Sequence, residues 1–364
     1  MRDMMSTRKQ FSIGLAAALA LGLLSLAEAA AEPLTVRIGF ASVGADNRQF
    51  SGGSSAAIAH AERYVEQELR DLPDVKIEWS FFKGAGPAVN EAFANNQLDF
   101  ALQGDLPQII GRANGLKTKI LLASGAHAPI YLAVPKDSPI RKVADLKGRK
   151  VSIFRGTNNH LAAVKVLAGY GLQEKDVQVI NMDTATTNAA LTSRDIDAAF
   201  GNFPLASLVE KNIADIIYTT KGDNPAYERH STLIGQESFI TTHPDVTQKI
   251  VSAIVRAARW SSDEANREAF FEISARSGFP AAGYRFDFKD QELKYRNTPI
   301  IDASIIESYR VQARQAKEFG LLRRNVEIDG WFDRSFLDKA LKEQGLVGYW
   351  TEFGADGKPV AAGQ

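Results

Sequence analysis

Clusters of small and hydroxylic residues carry the chemistry that can be read in this chain: Gly52-Gly53-Ser54-Ser55, Gly104-Asp105-Leu106-Pro107, Gly156-Thr157-Asn158, residues 184–188 and Gly201-Asn202-Phe203-Pro204. Glycine, serine, threonine and asparagine offer hydrogen bonds but little reactivity, so they suit holding a small polar or anionic molecule. Each cluster separates an apolar run from a helical pattern. Such a junction aims the unpaired N–H groups of a helix's first turn past the sheet edge, where an anion can sit. At 104–107, Asp105 can cap and Pro107 fits an early turn that needs no N–H. A hydrogen bond to a charged group contributes about 1.5–3 kcal/mol. Three or four of them, less ordering costs, give micromolar binding, about −8 kcal/mol.

Catalysis needs a nucleophile beside its base, or a set of metal ligands. The histidines His60, His127, His160, His230 and His243 show neither H-E-x-x-H nor another metal spacing. Cys 0 rules out disulfides, thiolate metal sites and cysteine nucleophiles. The chain has no G-x-x-x-x-G-K-[ST] loop, and Gly84-Ala85-Gly86 falls short of a dinucleotide fingerprint. His160, one turn past Gly156, can point into a cleft, although a lone histidine is more often structural. Asp105, Asp183 and Asp197 read as caps or surface groups. No catalytic residue, metal or cofactor is expected.

The positioning elements are strands that alternate with helices. Residues 34–40 alternate with strand period, and 76–82, 100–102, 119–124, 130–134, 150–154, 177–182, 196–200 and 213–219 read as further strands. Helical patterns occupy 56–70, 87–93, 105–115, 158–168, 184–191 and 205–211, and the region past residue 240 is mostly helical, at 246–260, 266–274, 304–319 and 332–343. The run 231–240 reads as a strand returning to the first domain. Residues 279–299 read as a long loop whose aromatics Tyr284, Phe286, Phe288 and Tyr295 pack on helices or cover a cleft. Repeated strand-helix alternation predicts an α/β protein of mainly parallel sheets with helices on both faces, holding its ligand beyond the carboxyl ends of the strands.

Length and charge set the outer limits. At 364 residues there is room for two domains, and 43 basic against 43 acidic residues leave no field to attract nucleic acid or an anionic membrane. Residues 1–31 read as a signal peptide: Arg2, Arg8 and Lys9 precede an apolar run, and Ala27-Glu28-Ala29 or Ala29-Ala30-Ala31 offers small-x-small cleavage. Export to the periplasm is the expectation.

The chain resembles the periplasmic substrate-binding proteins of ABC importers for aliphatic sulfonates, taurine and nitrate. The residues that carry the likeness are Val36-Arg37-Ile38-Gly39-Phe40, Glu91-Ala92-Phe93, Leu98-Asp99-Phe100-Ala101, Gly104-Asp105-Leu106-Pro107, Val143-Ala144-Asp145-Leu146-Lys147-Gly148-Arg149-Lys150-Val151, Arg155-Gly156-Thr157 with His160, and Asp197-Ala198. The resemblance implies a two-lobed type II periplasmic binding protein whose lobes are joined by two crossover strands. Lobe I would hold 32–125 and 230–353, lobe II 126–229, and a flexible tail 354–364. By resemblance Gly104 and Asp105 line one side of the cleft and Gly156, Thr157 and His160 the other. Arg155 stands where the family often has Lys, Leu106 where it has Ser or Thr, and Asn202-Phe203-Pro204 where sulfonate binders carry Trp-Asp-Pro. With the junction residues Gly52, Gly53, Ser54, Ser55 and Asn202, these complete the expected ligand-binding set. The implied partners are a small organic anion of sulfonate or sulfate-ester type and an ABC permease with its ATPase, the binding protein itself a monomer. Nitrate, a carboxylate or a pyrimidine-like solute is the alternative ligand, and a periplasmic sensor partner the alternative role. A thiamine-pyrimidine synthesis enzyme of the same fold is disfavoured by Cys 0 and the export signal.

Overall fold

Apolar residues at every second position build β1 (Leu34–Phe40), in which Val36 and Ile38 are fully buried. The computed structural model describes residues 33–360, so the signal peptide read in residues 1–31 lies outside the described residues. Further strands are β2 (Val75–Phe81), β3 (Phe100–Gly104), β4 (Thr118–Ala128), β5 (Tyr131–Pro135), β6 (Lys150–Ser152), β7 (Gln178–Ile180), β8 (Ala198–Gly201), β9 (Ala214–Thr219) and β10 (Arg229–Gln236). They form two five-stranded sheets, ordered β2-β1-β3-β10-β4 and β7-β6-β8-β5-β9.

The fold is mixed α/β, and each sheet combines a parallel set with antiparallel pairings. β1 runs parallel to β3, and β6 to β7 and β8, whereas β10 is antiparallel to β3 and β4, and β5 to β8 and β9. The antiparallel members β5 and β10 are the strands that enter one sheet directly after the chain leaves the other. A parallel return needs a crossover of a dozen or more residues. The short link from Ala128 to Tyr131 has no room for one.

The second sheet illustrates how the core forms. Alternate residues of β5 point to opposite faces, so Leu132 and Val134 join Val151, Ile153, Val166, Leu167 and Phe200 in one buried cluster. Tyr131 and Ala133 join Leu191, Ala199 and Leu205 in another. Helices therefore cover both faces, and each fully buried large apolar side chain contributes about 1.5–3 kcal/mol.

Local expectations differ from the structure at a few places. The helix read over 56–70 is broken into Ser55–Ala61 and Tyr64–Glu68, because Arg63 takes a left-handed φ of 57° and ends the first helix. The strand read over 231–240 ends at Gln236 and gives way to the helix Glu237–Thr242, where Phe239 turns edge-on to Phe100 at 5.2 Å between centroids. The long loop at 279–299 contains the helices Ala281–Asp287 and Leu293–Arg296, since Tyr284, Phe288 and Leu293 are buried and their backbone groups need partners. Beyond Phe353, within the stretch read as flexible, residues 354–360 fold back so that the Val360 N–H donates to the Glu352 carbonyl at 2.8 Å.

Candidate functional site

A cavity of about 480 Å³ opens where the carboxyl ends of β1 and β3 face the segments that follow β6, β7 and β8, with Phe40 and Gly104 on one side and Phe154, Asp183 and Asn202 on the other. This is the position that α/β sheets favour for ligands. A third wall comes from the segment past residue 276, through Phe279, Tyr284, Asp287 and Arg296.

Of the residues singled out from the sequence, Gly52, Gly53, Ser54, Gly104, Thr157 and Asn202 line this cavity. Ser54 caps the helix Ser55–Ala61 by accepting the Ala57 N–H at 3.2 Å. Gly53 has a φ of +77°, which only glycine adopts without strain, and a Cβ there would meet the Tyr284 ring at 3.0 Å. Thr157 stands at the N-cap of the helix Asn158–Gly169, but its hydroxyl donates to the Phe154 carbonyl at 2.7 Å. The first-turn N–H groups of that helix are therefore left without a side-chain cap.

Ser55, Asp105, Leu106, Arg155, Gly156 and His160 do not line the cavity. The Ser55 hydroxyl donates to the Ser124 carbonyl at 3.2 Å, and Leu106 is fully buried core. Asp105 is consumed by the backbone, since its carboxylate accepts the Leu106 N–H at 2.7 Å and the His230 N–H at 2.9 Å. Burial pushes its pKa up, and these hydrogen bonds oppose the shift. Arg155 and His160 converge on Glu174, at 2.7 and 3.3 Å, while His160 Nδ1 accepts the Gly156 N–H at 3.2 Å. These three residues brace the junction from behind. Hydrogen bonding from His160, assisted by Arg155, holds the Glu174 carboxyl down at about 2.

Arg229, at the start of β10, is the main lining residue that sequence reasoning missed. It is 8% exposed, yet no carboxylate is among its hydrogen-bond partners. Nη2 donates to the Pro129 carbonyl at 2.5 Å, Nη1 lies 3.4 Å from Asn158 Oδ1, and Nε has no partner. Burial lowers its pKa to about 10, which still leaves it charged at neutral pH. A charged guanidinium on the wall of a polar cavity, with no carboxylate hydrogen-bonded to it, is a seat for an anion. The neighbouring Arg296 differs, because Asp287 pairs with it at 2.8 Å while also accepting the Tyr131 hydroxyl at 2.9 Å. The only signal for Arg229 in the sequence is a basic residue where the chain enters an apolar strand. Phe203, from the turn at 201–204, and Tyr284, one of the aromatics expected to pack on helices or cover a cleft, are also on the wall.

Among the described residues no group of three or more His, Cys, Asp and Glu side chains is placed to hold a metal, and no helix is long and apolar enough to cross a membrane.

With this geometry in hand, similarity to known proteins becomes informative. Residues 74–266 match the family described as NMT1/THI5 like. The chain is 30% identical over 185 residues to the "Putative aliphatic sulfonates-binding protein" of Escherichia coli (strain K12), an alignment that spans 49% of this chain and only 53% of that relative. To the protein of the same name in Bacillus subtilis (strain 168) it is 25% identical over 284 residues, 75% of this chain and 81% of the other. The crystal structure of the "putative sulfonate ABC transporter, periplasmic sulfonate-binding protein SsuA" from Methylobacillus flagellatus KT superposes with a TM-score of 0.74 at 29% identity, over 89% of this chain and 98% of that one. A taurine-binding periplasmic protein is similar in sequence, and a nitrate-binding protein and a desulfurization enzyme are similar at the level of fold alone. The match over more than half the chain, together with the two mixed sheets facing one cleft, makes this chain a member of the NMT1/THI5-like family with the two-lobed fold of periplasmic binding proteins.

Proposed function

We propose that this chain is an exported solute-binding protein that captures a small organic anion of sulfonate type between its two lobes and delivers it to an ABC permease. The observation that carries the reading is the Arg229 guanidinium, charged, at the cavity wall and hydrogen-bonded to no carboxylate. A sulfonate brings three oxygen acceptors to that cation. Gly52, Gly53, Ser54, Gly104, Thr157 and Asn202 line the same cavity and make its wall small and polar. Ligand release then needs only a hinge at the β4–β5 and β9–β10 connections, between a lobe of residues 32–125 with 230–353 and a lobe of residues 126–229. The sulfonate-binding descriptions of the E. coli, B. subtilis and M. flagellatus proteins support this reading.

Titration calorimetry of the purified chain against ethanesulfonate, taurine, methyl sulfate, nitrate and acetate tests it. A micromolar dissociation constant is expected for at least one sulfonate or sulfate ester, with the anion recovered chemically unchanged. Absence of heat with all of them, or conversion of the anion to another compound, overturns it.

A further inference from the structure

Phe154, Phe203, Phe279 and Tyr284 come from three separate chain segments, and all line the same cavity as Arg229. The Phe203 ring lies 4.3 Å from that of Tyr284, tilted by 32°, and 5.4 Å from that of Phe279, edge-on at 85°. Tyr284 is 1% exposed and its hydroxyl is paired with Ser277 Oγ at 2.7 Å, so its ring backs Phe203 from behind and adds no polar group to the cavity. The Phe154, Phe203 and Phe279 rings remain partly exposed. They form an aromatic corner with its contacts incomplete on the cavity side. Aromatic rings pair best edge-to-face or offset, which is the geometry Phe203 already holds with its neighbours and can extend to one more ring.

The volume argues in the same direction. A cavity of about 480 Å³ falls in the range that encloses a drug-sized molecule. At about 30 Å³ per water, a nitrate or a methanesulfonate would leave room for a dozen or so solvent molecules against apolar ring faces.

We propose that the cleft is built for an anion that carries an aromatic ring, an arenesulfonate in chemical class, with the sulfonate at Arg229 and the ring against Phe203 and Phe279. This rests on the anion-binding reading above and adds the body of the ligand to its head.

Calorimetric titration of the full chain with benzenesulfonate and with ethanesulfonate, which share one head group, reads the ring's contribution directly. Benzenesulfonate binds at least tenfold more tightly. Phe203→Leu keeps apolar bulk but removes the ring, and it brings the two ligands to within about threefold. Phe279→Leu does the same to a lesser degree and serves if the first variant does not fold. Equal or tighter binding of ethanesulfonate by the wild type, or a preference for benzenesulfonate that survives both substitutions, overturns the aromatic assignment while leaving the anion-binding function standing. If neither compound binds, the aromatic assignment falls, and the anion-binding reading stands or falls on the taurine and methyl sulfate titrations.

Discussion

The Asn158 side chain, in the first turn of a helix on the second sheet, lies against the bare Cα of Gly104 at the end of β3 on the first. A Cβ at position 104 would come within 2.5 Å of Asn158 Nδ2 and 2.8 Å of its Cβ. Because the clash reaches as far back as that Cβ, rotating the Asn158 side chain cannot relieve it. The backbone at 104 has φ −76° and ψ 166°, which any residue adopts.

Gly104→Ala therefore acts on the approach of the lobes and leaves the backbone unstrained. Its expected effect is to weaken ligand binding by about 1–3 kcal/mol, the usual cost of overpacking, with little change in the melting temperature of the unliganded protein. Calorimetry with thermal melts checks it, and small-angle scattering reads the more open average shape.

Arg229→Gln removes the buried charge and keeps a polar group near the Pro129 carbonyl. Affinity for a sulfonate should fall by at least tenfold, since a charge-assisted hydrogen bond contributes about 1.5–3 kcal/mol. Unliganded stability should hold or rise, because a desolvated cation without a carboxylate partner is itself costly. Calorimetry and denaturant melts report the two effects separately.

How much of this could be read in advance depends on where the information lies along the chain. Gly104, Thr157 and Asn202 sit at strand-to-helix junctions, which local patterns of apolar runs, glycines and caps reveal. The roles of Asp105 and His160 could not be read that way, because their partners are distant in sequence. Asp105 is satisfied by the His230 N–H from β10, and His160 meets Glu174 beyond the end of its own helix. Arg229 was hidden for the same reason, since its importance comes from burial and from the carboxylate it lacks, and neither is a property of a segment. The mixed sheets escaped notice too, because strand alternation carries no record of which way a strand crosses between lobes.

The Asp287–Arg296 pair offers a stability test at the cavity's third wall. Both residues are 5% exposed and their side chains are paired at 2.8 Å, with the Tyr131 hydroxyl on the other carboxylate oxygen. Asp287→Ala leaves Arg296 buried and unpaired, a change that typically costs about 3–5 kcal/mol. Replacing both residues with apolar ones of similar volume should cost distinctly less. Urea denaturation of the single and double variants checks the difference.

Acid sensitivity should trace in part to Glu174. Its carboxyl is held at about 2 in the fold against an ordinary value of 4.5. A depressed carboxyl contributes stability that is present above about pH 4.5 and is lost as the pH falls toward 2. Glu174→Gln should therefore flatten the loss of stability across that window, on the order of 1 kcal/mol given the partial exposure of the group. Melting temperatures of wild type and variant between pH 2 and pH 6 measure it.

Whether an organic anion sits in the cleft against Arg229 can be answered by anomalous diffraction from sulfur. The chain has Cys 0 and Met 4, and Met182 is the only methionine among the described residues, so protein sulfur leaves the map almost clear. Crystals grown with benzenesulfonate should give a sulfur peak beside Arg229, with an oxygen within hydrogen-bond distance of its guanidinium. A peak elsewhere on the molecule, or a cleft holding only water at saturating sulfonate, would contradict it.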